Sequence, residues 1–296
     1  MEGIISGLKR MEIHDGDGIR TTVFFKGCPL RCLWCHNPET FSKKSQIAHF
    51  SEKCVSCGSC NGACEYGAVN LGKIDHNKCV YCLDCVKICP VDALTAFGTT
   101  YDEKTLADIL AKDKPFFEKS GGGVTMSGGE CLFQPDFAVA LAKELKSRGI
   151  SVYVDTSGFT SREVLESIIP YTDKFLYDIK AIDDEVHKTC TGQDNKVILD
   201  NLKFLISNGI SVEIRYPLVV GYNDAECEKI GQWLKNNAFR GKVKVLQYHS
   251  MASSRYEALG MKSTLPNTKT TPDDVKNAVE ILKSFGIDTI NGITDN

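Results

Sequence analysis

Cys28, Cys32 and Cys35 stand in a C-x3-C-x2-C run, Cys28-Pro29-Leu30-Arg31-Cys32-Leu33-Trp34-Cys35, directly after an apolar strand-like stretch, Thr22-Val23-Phe24-Phe25. Three soft thiolates this close together suit an iron–sulfur cluster. A cubane cluster has four irons, so three ligands leave one iron open to a substrate. A fourth cysteine would instead make an electron-transfer site. Zinc is the competing reading and needs a fourth ligand, which His36 could supply.

A second constellation follows as an internal repeat. Cys54-Val55-Ser56-Cys57-Gly58-Ser59-Cys60 runs on to Cys64, and Cys79-Val80-Tyr81-Cys82-Leu83-Asp84-Cys85 runs on to Cys89-Pro90. Each half is C-x2-C-x2-C-x3-C, and the second ends in the Cys-Pro of bacterial ferredoxins. Glu65 replaces proline after Cys64, which touches no ligand. In runs of this kind the fourth cysteine ligates the other cluster. One 4Fe–4S cluster is therefore expected on Cys54, Cys57, Cys60 and Cys89, and another on Cys79, Cys82, Cys85 and Cys64. Two zinc ribbons would show pairs of cysteines rather than two runs of four. A segment this short cannot build a sufficient apolar core, so the clusters must hold it together.

The 296 residues hold 14 cysteines, and all but Cys131, Cys190 and Cys227 lie between Cys28 and Cys89. The N-terminus lacks a basic region followed by an apolar one, and no apolar run reaches the ~18 residues of a membrane helix. The chain reads as cytoplasmic, where cysteines are metal ligands more often than disulfides. A net charge of −3 gives no reason to expect nucleic acid. An apolar content of 42% supports an ordinary core, in one large domain or two smaller ones.

These cysteines need a scaffold, and alternating periodicities supply one. Strands are expected at Thr22–Phe25, Gly123–Ser127, Ser151–Asp155, Lys174–Ile179, Ser211–Arg215 and Lys242–Tyr248. Helices are expected at Thr105–Lys112, Asp136–Arg148, Ser161–Ile169, Asn195–Ser207, Glu226–Asn236 and Pro272–Phe285. Alternation at this spacing argues for a parallel sheet, whose site forms at the C-terminal ends of its strands. The cysteine loop, Gly128-Gly129-Glu130, Asp155-Thr156, Asp178, Arg215 and His249 all fall there. The Asp-Gly turns of His14-Asp15-Gly16-Asp17-Gly18 read, on their own, as a plain loop.

The C-x3-C-x2-C run with an aromatic residue before its last cysteine resembles that of the radical S-adenosylmethionine (SAM) enzymes. The stretch from Ile13 to Glu39 resembles the activating enzymes of glycyl radical enzymes, such as the pyruvate formate-lyase activase. Asp17 stands where their H-D-G-P-G-I-R-T opening has proline. Ser127-Gly128-Gly129-Glu130, Asp155-Thr156-Ser157-Gly158, Asp178-Ile179-Lys180 and Tyr248-His249 extend the likeness over nearly the whole chain. The resemblance implies a partial (β/α)6 TIM-like barrel from residues 1–51 and 97–296, with a bacterial-ferredoxin-like domain inserted at 52–96. It implies three 4Fe–4S clusters, the first on Cys28, Cys32 and Cys35 with SAM on its open iron. SAM would be cleaved by one electron to methionine and a 5′-deoxyadenosyl radical, which takes an α-hydrogen from a glycine of the partner.

The same resemblance implies roles for single residues. Gly128, Gly129 and Glu130 would hold the SAM amino group. Trp34, Asn37, Asp178, Lys180, Arg215 and His249 would surround the cluster and SAM, and Asp155, Thr156 and Asp178 would take a monovalent cation. The expected partners are a glycyl radical enzyme and an electron donor such as flavodoxin or ferredoxin, without nucleic acid or membrane. The two-cluster insert is absent from the pyruvate formate-lyase type and points to a different partner. Two alternatives share part of the pattern. Another radical SAM enzyme acting on a small molecule or peptide would lack the match from Gly27 to Asn37. An electron-transfer protein would leave the three-cysteine run unexplained.

Overall fold

The computed structural model describes residues 1–292. The chain opens on β1 (Glu2–Glu12) and returns antiparallel as β2 (Arg20–Phe25). After the cysteine loop come β3 (Gln46–His49), α1 (Ser59–Gly62), β4 (Val69–Asn70), β5 (Lys73–Ile74), α2 (Asp84–Lys87) and β6 (Leu94–Phe97). Then β7 (Thr99–Asp102) pairs antiparallel with β1. From there strands and helices alternate: α3 (Glu103–Ala111), α4 (Lys114–Ser120), β8 (Gly123–Gly128), α5 (Pro135–Ser147), β9 (Ser151–Thr156), α6 (Arg162–Ile168) and β10 (Lys174–Asp178). The chain continues through α7 (Asp184–Thr191), α8 (Lys196–Ser207), β11 (Val212–Leu218), α9 (Cys227–Asn236), β12 (Lys242–Gln247), α10 (Ser253–Ala258), α11 (Pro272–Ser284) and β13 (Asp288–Asn291).

The main sheet has the order β13-β12-β11-β10-β9-β8-β2-β1-β7. Every neighbouring pair from β2 to β13 is parallel, and β1 and β7 add an antiparallel edge. This is an α/β fold around a mostly parallel sheet, consistent with a partial TIM barrel. The sheet is larger than the six strands expected, because β1, β7 and β13 escape the periodicity. β1 alternates weakly and exposes Lys9, Arg10 and Met11 in succession, and β7 is mostly exposed. The six expected strands bury most of their residues, Val23, Val124, Val154, Phe175, Ile214 and Val243 among them, as parallel strands covered by helices must.

The helices bury one stripe each against the sheet. Leu106 and Leu110 of α3, Phe137, Leu141 and Leu145 of α5, and Leu202 and Leu205 of α8 share one core with Val124, Val152, Phe175 and Ile214. Their spacing of three to four residues places them on one helix face. Ser161 caps α6 by accepting from Val164 N, and Thr271 forms a capping box with Asp274 at α11. Strand β11 outruns its expected end at Arg215 by three residues. Its neighbour β10 stops opposite Arg215, so Pro217 pairs only with β12, a one-sided setting that proline tolerates. Among the described residues no helix is long and apolar enough to cross a membrane.

The excursion between β3 and β6 is closed by their antiparallel pairing, Gln46 opposite Phe97 and His49 opposite Leu94. Inside it the sequence repeat becomes a structural one. Each half opens its short helix after a left-handed residue, Gly58 for α1 and Leu83 for α2. Ser56 and Tyr81 also share a positive φ. In each half a backbone N–H points at the last cysteine, Ala68 N to Cys64 Sγ and Ala93 N to Cys89 Sγ, both at 3.3 Å. Its apolar centre is small: Ile47, Val69, Cys85 and Leu94.

Candidate active site

Strands β2 and β8 run parallel, with Phe25 opposite Gly128, and their ends set the cysteine loop beside the Gly-Gly turn. Gly129 N donates to Phe25 O at 3.1 Å and Glu130 N to Gly27 O at 2.9 Å. A Cβ at Gly128 would lie 2.2 Å from Phe25 N, and one at Gly129 2.5 Å from Gly27 O. Only glycine permits this approach.

The cysteine loop is held from its other side by α7. Arg31 N donates to Thr191 O at 2.7 Å and Leu33 N to Cys190 O at 2.9 Å. The last carbonyls of a helix lack intrahelical donors, and here the loop supplies them. Tyr256 Oη donates to Cys35 O at 3.0 Å, and Thr264 Oγ1 to Leu33 O at 3.1 Å. Trp34 is buried against Cys190, Val219 and Tyr248.

Together these elements enclose a cavity of about 560 Å³ at the C-terminal ends of the parallel strands, within the size range of small-molecule sites. Cys28, Cys32 and Cys35 line one wall, and Trp34 and Asn37 continue it. Gly128 and Gly129 lie beside them, and the floor carries Asp155, Thr156, Asp178, Lys180 and Arg215. His249 sits at the rim, its ring stacked on His36 at 4.2 Å, with His36 Nε2 2.8 Å from the His249 carbonyl. Asn37 Oδ1 accepts from Arg255 Nη1 at 3.0 Å.

The floor is a charge network. Arg215 Nη2 donates to His14 O at 3.0 Å, while Nη1 lies 3.4 Å from Asp15 Oδ1 and 3.8 Å from Asp155 Oδ2. Ser127 Oγ donates to Asp155 Oδ2 at 2.5 Å, and Lys180 pairs with Asp178 at 2.6 Å. Burial pushes the Asp155 carboxyl up to about 7, with Asp178 and Asp15 adding to the effect against Arg215. Asp15, Asp155 and Asp178 thus face Arg215 and Lys180 in the lining.

The three thiols are buried and stay protonated without a compensating charge. Burial pushes Cys28 up to about 12, helped by Cys32 and Glu130, and raises Cys32 and Cys35 as well. Sulfurs in this setting become thiolates when a metal compensates their charge. Among the described residues, no three His, Cys, Asp or Glu side chains converge as ligands of a single metal ion.

One expected site residue is turned elsewhere. Glu130 is fully buried, and its carboxylate does not face the cavity. It accepts from Leu132 N at 3.1 Å, Thr156 Oγ1 at 2.8 Å, Ser157 N at 2.9 Å and Ser157 Oγ at 2.6 Å. It ties the β8 turn to the β9 turn, so its side chain cannot also hold an ammonium group in the cavity. The Thr156 hydroxyl is committed too, donating to Glu130 and accepting from Gly158 N at 2.9 Å.

Other residues reach the cavity without having been singled out. Asp15 lines it and accepts from Thr22 Oγ1 at 2.7 Å. Its Asp-Gly setting reads as a turn, and only the aligned opening of the resemblance hints at more. Asp17, in the place of a proline, accepts from Tyr153 Oη at 2.7 Å and pairs with Lys174 at 2.5 Å, tethering the same loop.

The excursion carries two smaller cavities. Cys54, Cys57, Cys60 and Cys89 line one, and Cys64, Cys79, Cys82 and Cys85 line the other. Cys131, Cys190 and Cys227 are buried and line none of these three cavities.

Known proteins resemble this chain over most of its length. The Radical SAM superfamily model matches residues 22–234. The choline trimethylamine-lyase activating enzyme of Oleidesulfovibrio alaskensis is 38% identical, over 88% of this chain and 87% of that protein. The trans-4-hydroxy-L-proline dehydratase activating enzyme of Clostridioides difficile is 39% identical, over 88% and 89%. Among solved structures, Streptococcus suis SuiB bound to S-adenosylmethionine shares the fold at a TM-score of 0.50 and 13% identity, covering 64% of this chain and 43% of that one.

Proposed function

The chain belongs to the Radical SAM superfamily, among the activating enzymes of glycyl radical enzymes, and from that premise we propose how its residues serve the reaction. When bound, a 4Fe–4S cluster supplies one electron to SAM, which yields methionine and a 5′-deoxyadenosyl radical that takes the α-hydrogen of a partner glycine. Cys28, Cys32 and Cys35 would hold this cluster. Gly128 and Gly129 bring backbone carbonyls within reach of the SAM ammonium, since no side chain stands between. Arg215 and Lys180 are the cations available to its carboxylate. Asp155 and Asp178 would hold a monovalent cation or offset the sulfonium. Trp34 packs the loop and excludes water, which bears on cluster potential. The observation that carries the reading is the single cavity in which the three cysteines face the Gly-Gly turn and the Asp–Arg–Lys floor.

We further propose that residues 52–96 form a ferredoxin-like insert with two 4Fe–4S clusters. The division of eight cysteines between two cavities supports it, because it follows the exchange of the fourth ligand between repeats. Cys57 and Cys82, one per cavity, are exposed and suit entry of electrons from a flavodoxin or ferredoxin. The partner is a glycyl radical enzyme, with its glycine loop as the substrate.

Anaerobically reconstituted, reduced protein mixed with SAM and, in turn, each of a panel of glycyl radical enzymes provides the test. A glycyl radical doublet in electron paramagnetic resonance (EPR), dependent on SAM and on Cys28, Cys32 and Cys35, is expected. Deoxyadenosine without a glycyl signal would favour another radical SAM substrate. The absence of both products from fully reduced protein would overturn the enzyme reading.

A further inference from the structure

Two polar atoms in the cysteine-rich excursion are buried and find no hydrogen-bond partner among the described residues: His49 Nε2 and Tyr81 Oη. They are divided one to each small cavity. His49 lines the cavity of Cys54, Cys57, Cys60 and Cys89, whereas Tyr81 lines that of Cys64, Cys79, Cys82 and Cys85. A buried polar group left unpaired costs about 1–3 kcal/mol, so two in so small a segment call for an acceptor. Each cavity is walled by cysteines, and sulfur is the acceptor at hand.

The surroundings hold both groups in place. Tyr81 lies between Cys79 and Cys82 with a left-handed backbone, φ 67°, a conformation that a bulky residue adopts only at a cost of about 1–3 kcal/mol. The matching position of the first repeat is Ser56, which is exposed and too short to replace the phenol. His49 ends β3 opposite Leu94, and its ring lies on Gly72, where a Cβ would come within 2.2 Å of Nε2. A phenol keeps its proton at neutral pH, and a neutral imidazole has one N–H to place where an acceptor stands.

We propose that Tyr81 Oη and His49 Nε2 each donate a hydrogen bond to the sulfur of one insert cluster and raise its reduction potential. The inference rests on the two-cluster reading of the excursion. Reduction adds negative charge to a cluster, so a donor aimed at its sulfur favours the reduced form. The two repeats, alike in their cysteines, would thus hold clusters tuned by different donors.

The full-length protein, anaerobically reconstituted, is titrated with reductant and followed by EPR, with iron and sulfide measured on every sample. Tyr81→Phe removes only the hydroxyl. The potential of one insert cluster should fall, with the other insert cluster and the three-cysteine cluster unmoved. His49→Leu should lower the potential of the other insert cluster, and His49→Gln, which keeps an N–H donor, should restore part of it. Proton hyperfine coupling that exchanges in deuterated water should disappear from one cluster in Tyr81→Phe. Unchanged potentials and couplings in variants with full iron and sulfide would overturn the inference and leave the two-cluster reading standing. Wild-type protein retaining the iron of one cluster alone would overturn that reading and the inference with it.

Discussion

Glu130 shows what a motif conveys and what it withholds. Gly-Gly-Glu after a strand marks a turn at the site, but the spacing does not encode where the carboxylate points. In the fold it accepts hydrogen bonds from Leu132, Thr156 and Ser157 and fastens two turns of the cavity floor. Glu130→Ala leaves those donors buried and unpaired, so a loss of about 3–5 kcal/mol is expected in urea unfolding. Glu130→Gln should lose less. His187 supplies a pH-dependent case. Burial and Lys180 hold its imidazole below the ordinary range, against the pull of the Gln193 carbonyl, 2.8 Å from Nδ1. The unfolded chain then binds a proton that the folded chain refuses, so stability falls as pH drops below about 6.5. His187→Gln should flatten that acid limb, read as melting temperature between pH 5 and 7.5.

Helix α7 is the element that sequence periodicity missed and the cysteine loop most needs. Asp-Glu-Val-His-Lys-Thr-Cys-Thr carries almost no apolar stripe, so nothing in it announces a helix. Its start is nevertheless capped by Asp183, which accepts from Glu185 N and Val186 N, and its end receives the N–H groups of Arg31 and Leu33. Asp183→Ala should cost about 1 kcal/mol and loosen the loop. Urea unfolding checks the first effect, and the rate of iron loss to a chelator the second. The six central strands were legible because each carries a short run of buried apolar or β-branched residues, such as Val152, Val154, Val243 and Val245. β1 and β7 were not, since a half-solvated edge mixes Lys9 and Arg10 with Ile4 and Ile5 and blurs the alternation. Asp15 stayed hidden for a related reason: its role depends on Arg215, 200 residues away, and no local pattern records such a pair.

At the scale of the whole molecule, the α/β body and the cysteine-rich excursion share one chain but meet through a narrow neck. β3 and β6 lie side by side, and Ala48, Phe50 and Phe97 pack with Ala258 and Leu259 by α10. Replacing residues 50–93 with Asn-Gly joins His49 to Leu94 through a two-residue hairpin. That variant should fold, keep the iron of the three-cysteine cluster and cleave SAM with an artificial reductant. Complete loss of cleavage with the site cluster intact would show that the excursion does more than supply electrons. The neck also bears on descent. Because the two ends of the excursion already lie opposite each other, one recombination event could bring in or remove the whole segment without a compensating change in the sheet. Gene lineages around this chain are therefore expected to differ in length by whole units between residues 46 and 97, rather than by gradual erosion.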